Sequence, residues 1–179
     1  MSALILSTDG FEDSELLVPL YRLREEGAAV TVASLERGTI RGEHGYEIEA
    51  TKALEEIDPG DYDLLMLPGG KAPAALRRDD AALEIVRSFF AEGKPVAAIC
   101  HGAEILVAAG VLRGRRATCF PTLAKALHEA GASYENEEVV VDANLVTSRR
   151  PDDLPAFMRE MLRRMRDYQR RTKSAASGA

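Results

Sequence analysis

Short apolar runs separated by longer amphipathic stretches set the rhythm of this chain: Ala3 to Leu6, Val30 to Ala33, Leu64 to Leu67, Val96 to Ile99, Val139 to Val141 and Leu145 to Thr147. Each reads as a strand. Their largely continuous apolar character is that of parallel strands covered by helices on both faces. Between them lie helical periodicities that stop at a glycine: Ser14 to Glu26 before Gly27, Ala81 to Glu92 before Gly93, Ala103 to Ala109 before Gly110, and Leu123 to Ala130 before Gly131. Glycine just past a helix takes the left-handed conformation that closes it. A last helix is predicted over Leu154 to Tyr168.

This alternation of strand and helix predicts an α/β fold, a three-layer α/β/α sandwich around a mostly parallel sheet. With 179 residues, the expectation is a single domain over 1–169 and a disordered polar tail over 170–179. Thr39 to Tyr46 reads as a small β excursion, and Val139 to Thr147, around Asp142-Ala143-Asn144, as a hairpin near a sheet edge. Neither bears obvious chemistry.

Composition narrows the partners. A net charge of −6 and a pI near 5.2 disfavour a phosphate backbone, so no nucleic acid is expected. The arginines of the last helix read as a solvated helix end. Without a basic leader or a long apolar segment, the reading is a cytoplasmic protein with no membrane partner. Cys100 and Cys119 are the two cysteines. They are too few for a disulfide scaffold and lack metal-site spacing, so no metal or other cofactor is implied.

Candidate chemistry centres on Pro95-Val96-Ala97-Ala98-Ile99-Cys100-His101-Gly102-Ala103-Glu104, a strand entering a helix with cysteine at the junction. That is the form of a nucleophile elbow, which exposes the sulfur at the carboxyl end of a strand and aims a helix N-terminus at it. The helix dipole predicts a thiol pKa below the ordinary value, hence a thiolate at neutral pH. The competing reading is a buried structural cysteine. Leu67-Pro68-Gly69-Gly70 follows a neighbouring strand, so the amides of Gly70 and His101 are candidate oxyanion donors, with Gly69 beside them.

Asp9-Gly10-Phe11-Glu12-Asp13-Ser14-Glu15 follows the first strand. Glu12 and Glu15 share a helical face and either could meet Cys100; a carboxyl held beside a thiolate keeps its proton near neutrality. His101 is adjacent to Cys100 in sequence, so direct proton transfer between the two side chains is not guaranteed, and its backbone N–H is the surer contribution. His44 and His128 are read as surface residues, and Cys119 as structural.

Together these segments resemble the PfpI-like intracellular protease family, in the superfamily that includes the Parkinsonism-associated deglycase and shares the class I glutamine amidotransferase-like fold. The resemblance spans Ala3 to Leu162 and rests also on Ala109-Gly110-Val111-Leu112-Arg113-Gly114-Arg115 and Val139-Val140-Val141-Asp142. It implies a flavodoxin-like sandwich, Cys100 as nucleophile, Glu15 hydrogen-bonded to its sulfur, and homodimers or dimer-based homo-oligomers. It also implies one of two activities: cofactor-free conversion of methylglyoxal to lactate with deglycation of amino acids or proteins, or peptide hydrolysis.

Departures from the family's pattern favour carbonyl chemistry. Where the protease-like members carry a glutamate that orients the histidine across a subunit interface, Gly69-Gly70-Lys71-Ala72-Pro73 is followed by Ala74; Phe120 stands where a tyrosine is frequent. A glutamine amidotransferase is disfavoured, since His128 is the only histidine after His101. A redox sensor or chaperone using Cys100 oxidation is the remaining alternative.

Overall fold

A computed structural model describes residues 1–177, with side chains through residue 174. In chain order it comprises β1 (Ser2–Leu6), α1 (Asp13–Glu25), β2 (Ala29–Ser34), β3 (Gly38–Arg41), β4 (Glu47–Ala50), β5 (Lys52–Ala53), β6 (Leu64–Leu67), α2 (Pro73–Leu76), α3 (Asp80–Ala91) and β7 (Val96–Ile99). Then follow α4 (Ala103–Ala109), β8 (Arg116–Ala117), α5 (Ala124–Glu129), β9 (Ser133–Tyr134), β10 (Val139–Asp142), β11 (Leu145–Ser148) and α6 (Leu154–Ser177). Among the described residues, no helix is long and apolar enough to cross a membrane.

Seven strands form the central sheet in the order β10-β11-β7-β6-β1-β2-β5, parallel except for the β10–β11 hairpin at one edge. The inner strands, β2-β1-β6-β7-β11, have the flavodoxin-like order, in which the winding reverses beside β1 and ligands gather at the carboxyl ends of the strands. Alternate side chains of each strand feed opposite cores. Leu4, Leu6, Leu65, Leu67, Val96 and Ala98 pack under α3 and α4. Ala3, Ile5, Leu64, Met66, Ala97 and Ile99 pack under α1 and α6. Both sheet faces are therefore covered, which is why the strands read as apolar runs.

The predicted β excursion is the two-stranded β3–β4 hairpin, whose tip folds over the start of α1. The predicted edge hairpin is β10–β11, turning at Ala143 with φ of 51°. One expectation is corrected. Helix α6 continues to Ser177, through most of the stretch read as a disordered tail. Arginine, lysine and alanine there are good helix formers, and no proline or glycine interrupts them before Gly178. Residues 178 and 179 lie outside the described residues.

Candidate functional site

Three strand ends converge at the carboxyl edge of the sheet. β7 delivers Cys100, β6 delivers Gly69 and Gly70, and the loop after β1 delivers Glu12 and, in the first turn of α1, Glu15. Cys100, Gly70, Glu12 and Glu15 line a cleft of about 520 Å³ with Glu43, Lys71, Ala74, His101, Glu104, Phe120 and Pro151. A hollow of about 670 Å³ around His128 and Tyr134 lies elsewhere, on the α5 side, and gathers none of these groups.

Cys100 has φ of 60°. A non-glycine residue held there is strained by about 1–3 kcal/mol and persists only where its surroundings impose it. Here the parallel strand above and the 3-10 turn of residues 100–102 below impose it, and the strain turns Sγ into the cleft. Gly69 and Gly70 make the close approach possible. A Cβ on Gly69 would stand 2.5 Å from Oε2 of Glu15 and 2.7 Å from Cβ of Cys100; one on Gly70, whose φ is 83°, would stand 2.4 Å from the Glu12 nitrogen. Freed of side chains, this turn lets the Gly70 N–H, with that of His101, donate toward Sγ.

Glu15 is fully buried, and its Oε2 accepts the Gly69 N–H at 2.8 Å. Its carboxyl lies against the Cys100 thiol, close enough that each shifts the other's ionisation, while Oε1 makes no well-formed hydrogen bond. Burial pushes this carboxyl up to about 8, against the hydrogen bonds from the Gly69 N–H and the Cys100 thiol, which oppose the shift. The carboxyl therefore keeps its proton at neutral pH.

The thiol departs from expectation. Burial first, and the Glu15 charge second, push Cys100 up to about 12, outweighing the two amides that favour the thiolate. The helix that was to lower it, α4, has only seven residues and starts beyond the 3-10 turn. So Cys100 is not a free-standing thiolate at neutral pH. It belongs to a two-proton pair with Glu15 that gives up its first proton near 8 and its second near 12.

Glu12 and His101 also differ from the sequence reading. Oε2 of Glu12 accepts the Glu15 N–H at 2.8 Å and the Ser14 hydroxyl at 2.6 Å, so its carboxylate caps α1. It lines the cleft and its charge raises Glu15, but Glu15 is the carboxyl that meets the sulfur. The His101 ring does reach its neighbour: Nδ1 lies 3.3 Å from Sγ, and the ring stacks on Phe120 with centroids 4.8 Å apart. The positive φ at Cys100 brings together two side chains that an extended dipeptide would separate. Cys119 is fully buried, and His44 and His128 are exposed.

Sequence reasoning overlooked Asp13, Glu43, Lys71 and Glu104. The buried Asp13 carboxylate accepts the N–H groups of His44 and Tyr46, both at 2.9 Å, and so fixes the β3–β4 tip, while Glu43 donates its N–H to the Phe11 carbonyl. That tip carries Glu43 to the rim, where it pairs with Lys71 at 3.8 Å. Glu104 lies one helical turn beyond Cys100, and that spacing could have revealed it; Arg77 is 3.4 Å away. Among the described residues, no group of three or more His, Cys, Asp or Glu side chains is placed to hold a metal ion.

Comparison with known proteins gives this arrangement its context. Residues 1–164 match the sequence profile described as the DJ-1/PfpI family. A protein named a deglycase in Pyrococcus abyssi is 52% identical over 163 residues, which cover 91% of this chain and 98% of that relative. Another of that name in Thermococcus kodakarensis is 51% identical over 166 residues, 93% of this chain and 100% of the relative. Among solved structures, a two-domain Anabaena variabilis protein with DJ-1/ThiJ/PfpI-like and ferritin-like domains superposes with a TM-score of 0.90 at 35% identity. The match covers 92% of this chain and 48% of that one.

Proposed function

The chain belongs to the DJ-1/PfpI family, and on that premise we propose that it is a cysteine-dependent, cofactor-independent carbonyl-detoxifying enzyme. It converts methylglyoxal, free or carried as an adduct on amino acids and proteins, to lactate. The observation that carries the reading is the buried Glu15–Cys100 pair with two backbone N–H groups aimed at the sulfur. Relatives about half identical to this chain bear the name deglycase.

In this mechanism the reacting species is the tautomer of the singly ionised pair that carries the anion on sulfur, which has two N–H donors, and the proton on Glu15; with the thiol pushed up to about 12 it is the minor tautomer. With the Glu15 carboxyl titrating near 8, roughly a tenth of the pairs are singly ionised at pH 7, mainly as the Glu15 carboxylate, and the reacting tautomer is drawn from that fraction. The thiolate adds to the aldehyde carbon, and the new alkoxide takes a proton from Glu15, giving a hemithioacetal. Glu15, now a carboxylate, removes the hydrogen from that carbon, and a proton returns to the adjacent carbon. The enediol between them becomes a lactoyl thioester without net oxidation. Gly70 and His101 N–H groups stabilise the oxyanions, and water cleaves the thioester to lactate and the free thiol. An amine adduct enters the same sequence once its carbinolamine releases the amine.

Peptide hydrolysis asks more of His101, which would have to protonate a poor amine leaving group in a fixed orientation. Among the described residues no carboxylate is hydrogen-bonded to that ring; it contacts Sγ and Phe120, and the exposed Ala74 has no side-chain oxygen to offer. Carbonyl chemistry is the stronger reading. Dimer-based assembly and a cytoplasmic location belong to this proposal.

The test separates adduct removal from scavenging. Methylglyoxal-modified N-acetylarginine is incubated with enzyme, and release of N-acetylarginine is compared with spontaneous dissociation measured in parallel. Release faster than the spontaneous rate supports direct deglycation. Release at the spontaneous rate, accompanied by lactate, restricts the activity to free methylglyoxal.

A further inference from the structure

We propose that helix α6 is a docking surface for duplex nucleic acid. The net charge of −6 hides a strong asymmetry. Residues 154–177 hold seven basic and two acidic side chains, a local charge of +5, which leaves −11 on the remainder.

The basic residues are ordered. Arg159, Arg163, Arg166, Arg170 and Lys173 recur at helical spacing, within an arc of about 80° at about 100° per residue, and all five are exposed. The stripe is about 20 Å long at about 1.5 Å per residue. Arg163 faces Glu160 at 3.7 Å and Arg166 faces Glu26 at 2.5 Å. The two arginines are exposed while Glu160 and Glu26 are partly buried, and pairs this open to water are weak enough to exchange for other anions. The opposite face of α6 is occupied: Phe157, Met158, Met161, Leu162 and Met165 are buried in the core under the sheet.

Two further observations point beyond a solvated face. The match to the family profile ends at residue 164, while the helix runs on to Ser177. In this extension Arg170 and Lys173 continue the stripe and Arg171 adds charge beside it. Apolar anchors do not continue: where the buried stripe would extend, the chain has Tyr168, Gln169 and Thr172. A helix that inserts into a lipid surface needs bulky apolar residues on a free face. This one offers a row of cations alone, which fits a phosphate backbone, where binding is driven by counterion release and needs no apolar insertion.

The test uses the full chain and an undamaged, fluorescently labelled duplex of about 20 base pairs, followed by anisotropy across about 50–200 mM salt. It is independent of the carbonyl chemistry, and Cys100→Ala is expected to bind as wild type does. Five phosphate contacts would give a log–log salt slope of about −4.5, and three about −2.7. Arg163→Gln/Arg170→Gln/Lys173→Gln, which keeps helix propensity, should flatten the slope by about three units and weaken binding at least tenfold at low salt. A charge-matched control, Arg24→Gln/Arg78→Gln/Lys125→Gln, removes the same charge from scattered exposed positions and should bind nearly as wild type. Absence of duplex binding at the lowest salt overturns the proposal, as does equal weakening by the two triple variants. Capture by anionic phosphatidylserine vesicles without duplex binding overturns it in favour of a membrane.

Discussion

Replacing Glu15 with glutamine should make folding stability less sensitive to pH, by an amount that the site itself sets. The carboxyl is fully buried and titrates near 8, against 4.5 for the ordinary group. Below pH 4.5 folded and unfolded chains both hold the proton, and burial of the neutral acid carries no ionisation penalty. As pH rises toward 8 the unfolded chain ionises and the folded chain does not, so stability falls across that window and then levels off. At about 1.4 kcal/mol per pKa unit, the loss is about 3 kcal/mol at pH 7 and about 5 kcal/mol beyond pH 8. Glutamine keeps the shape and an oxygen for the Gly69 N–H, but has no proton to lose. Urea unfolding of both proteins, at about pH 5 and about pH 8.5, should show the stability difference moving by about 4 kcal/mol in favour of the variant. A difference constant to within about 1 kcal/mol would refute a neutral, buried Glu15.

Other perturbations address the same site. Cys100→Gly should be more stable than Cys100→Ala by about 1 kcal/mol, because alanine retains the strain at φ 60° and glycine does not; equal unfolding midpoints would remove the strain argument. Iodoacetamide should label Cys100 with a rate that climbs through pH 8 in wild type, and Glu15→Gln should displace that profile; superimposable profiles would separate the two groups. Gly69→Ala should abolish turnover and destabilise the fold by about 2 kcal/mol or more, since its Cβ would collide with both members of the pair; wild-type turnover would disprove the close approach. Asp13→Asn should speed amide exchange at His44 and Tyr46 and raise KM more than it lowers kcat, because the hairpin tip forms the rim of the cleft; unchanged exchange would free Asp13 of that role.

The strand ends, the elbow and the glycine turn were legible because each is local: an apolar run followed by small residues at the carboxyl edge of a parallel sheet. Glu15 was legible only in part: its position left it level with Glu12, and the family resemblance alone singled it out, since Asp13, buried as well, precedes it in the same turn. The ionisation of Cys100 was not legible, because it depends on burial and on a carboxyl 85 residues earlier in the chain, neither of which the sequence around residue 100 displays. His101 illustrates a different gap. Its contact with Sγ comes from a single backbone angle, one that cysteine rarely adopts and that only the finished turn enforces. Glu43 reaches the site from a hairpin that looked idle because its fixing group, Asp13, passes for an ordinary first-turn acid.

The account stands most directly on lactate formation from methylglyoxal in the absence of glutathione, with wild type and Cys100→Ala compared and the product itself quantified, since adduct formation alone also depletes methylglyoxal. Lactate from wild type and none from the variant is the predicted result. Equal lactate from both, or none from either, would contradict the assignment of the chemistry to Cys100.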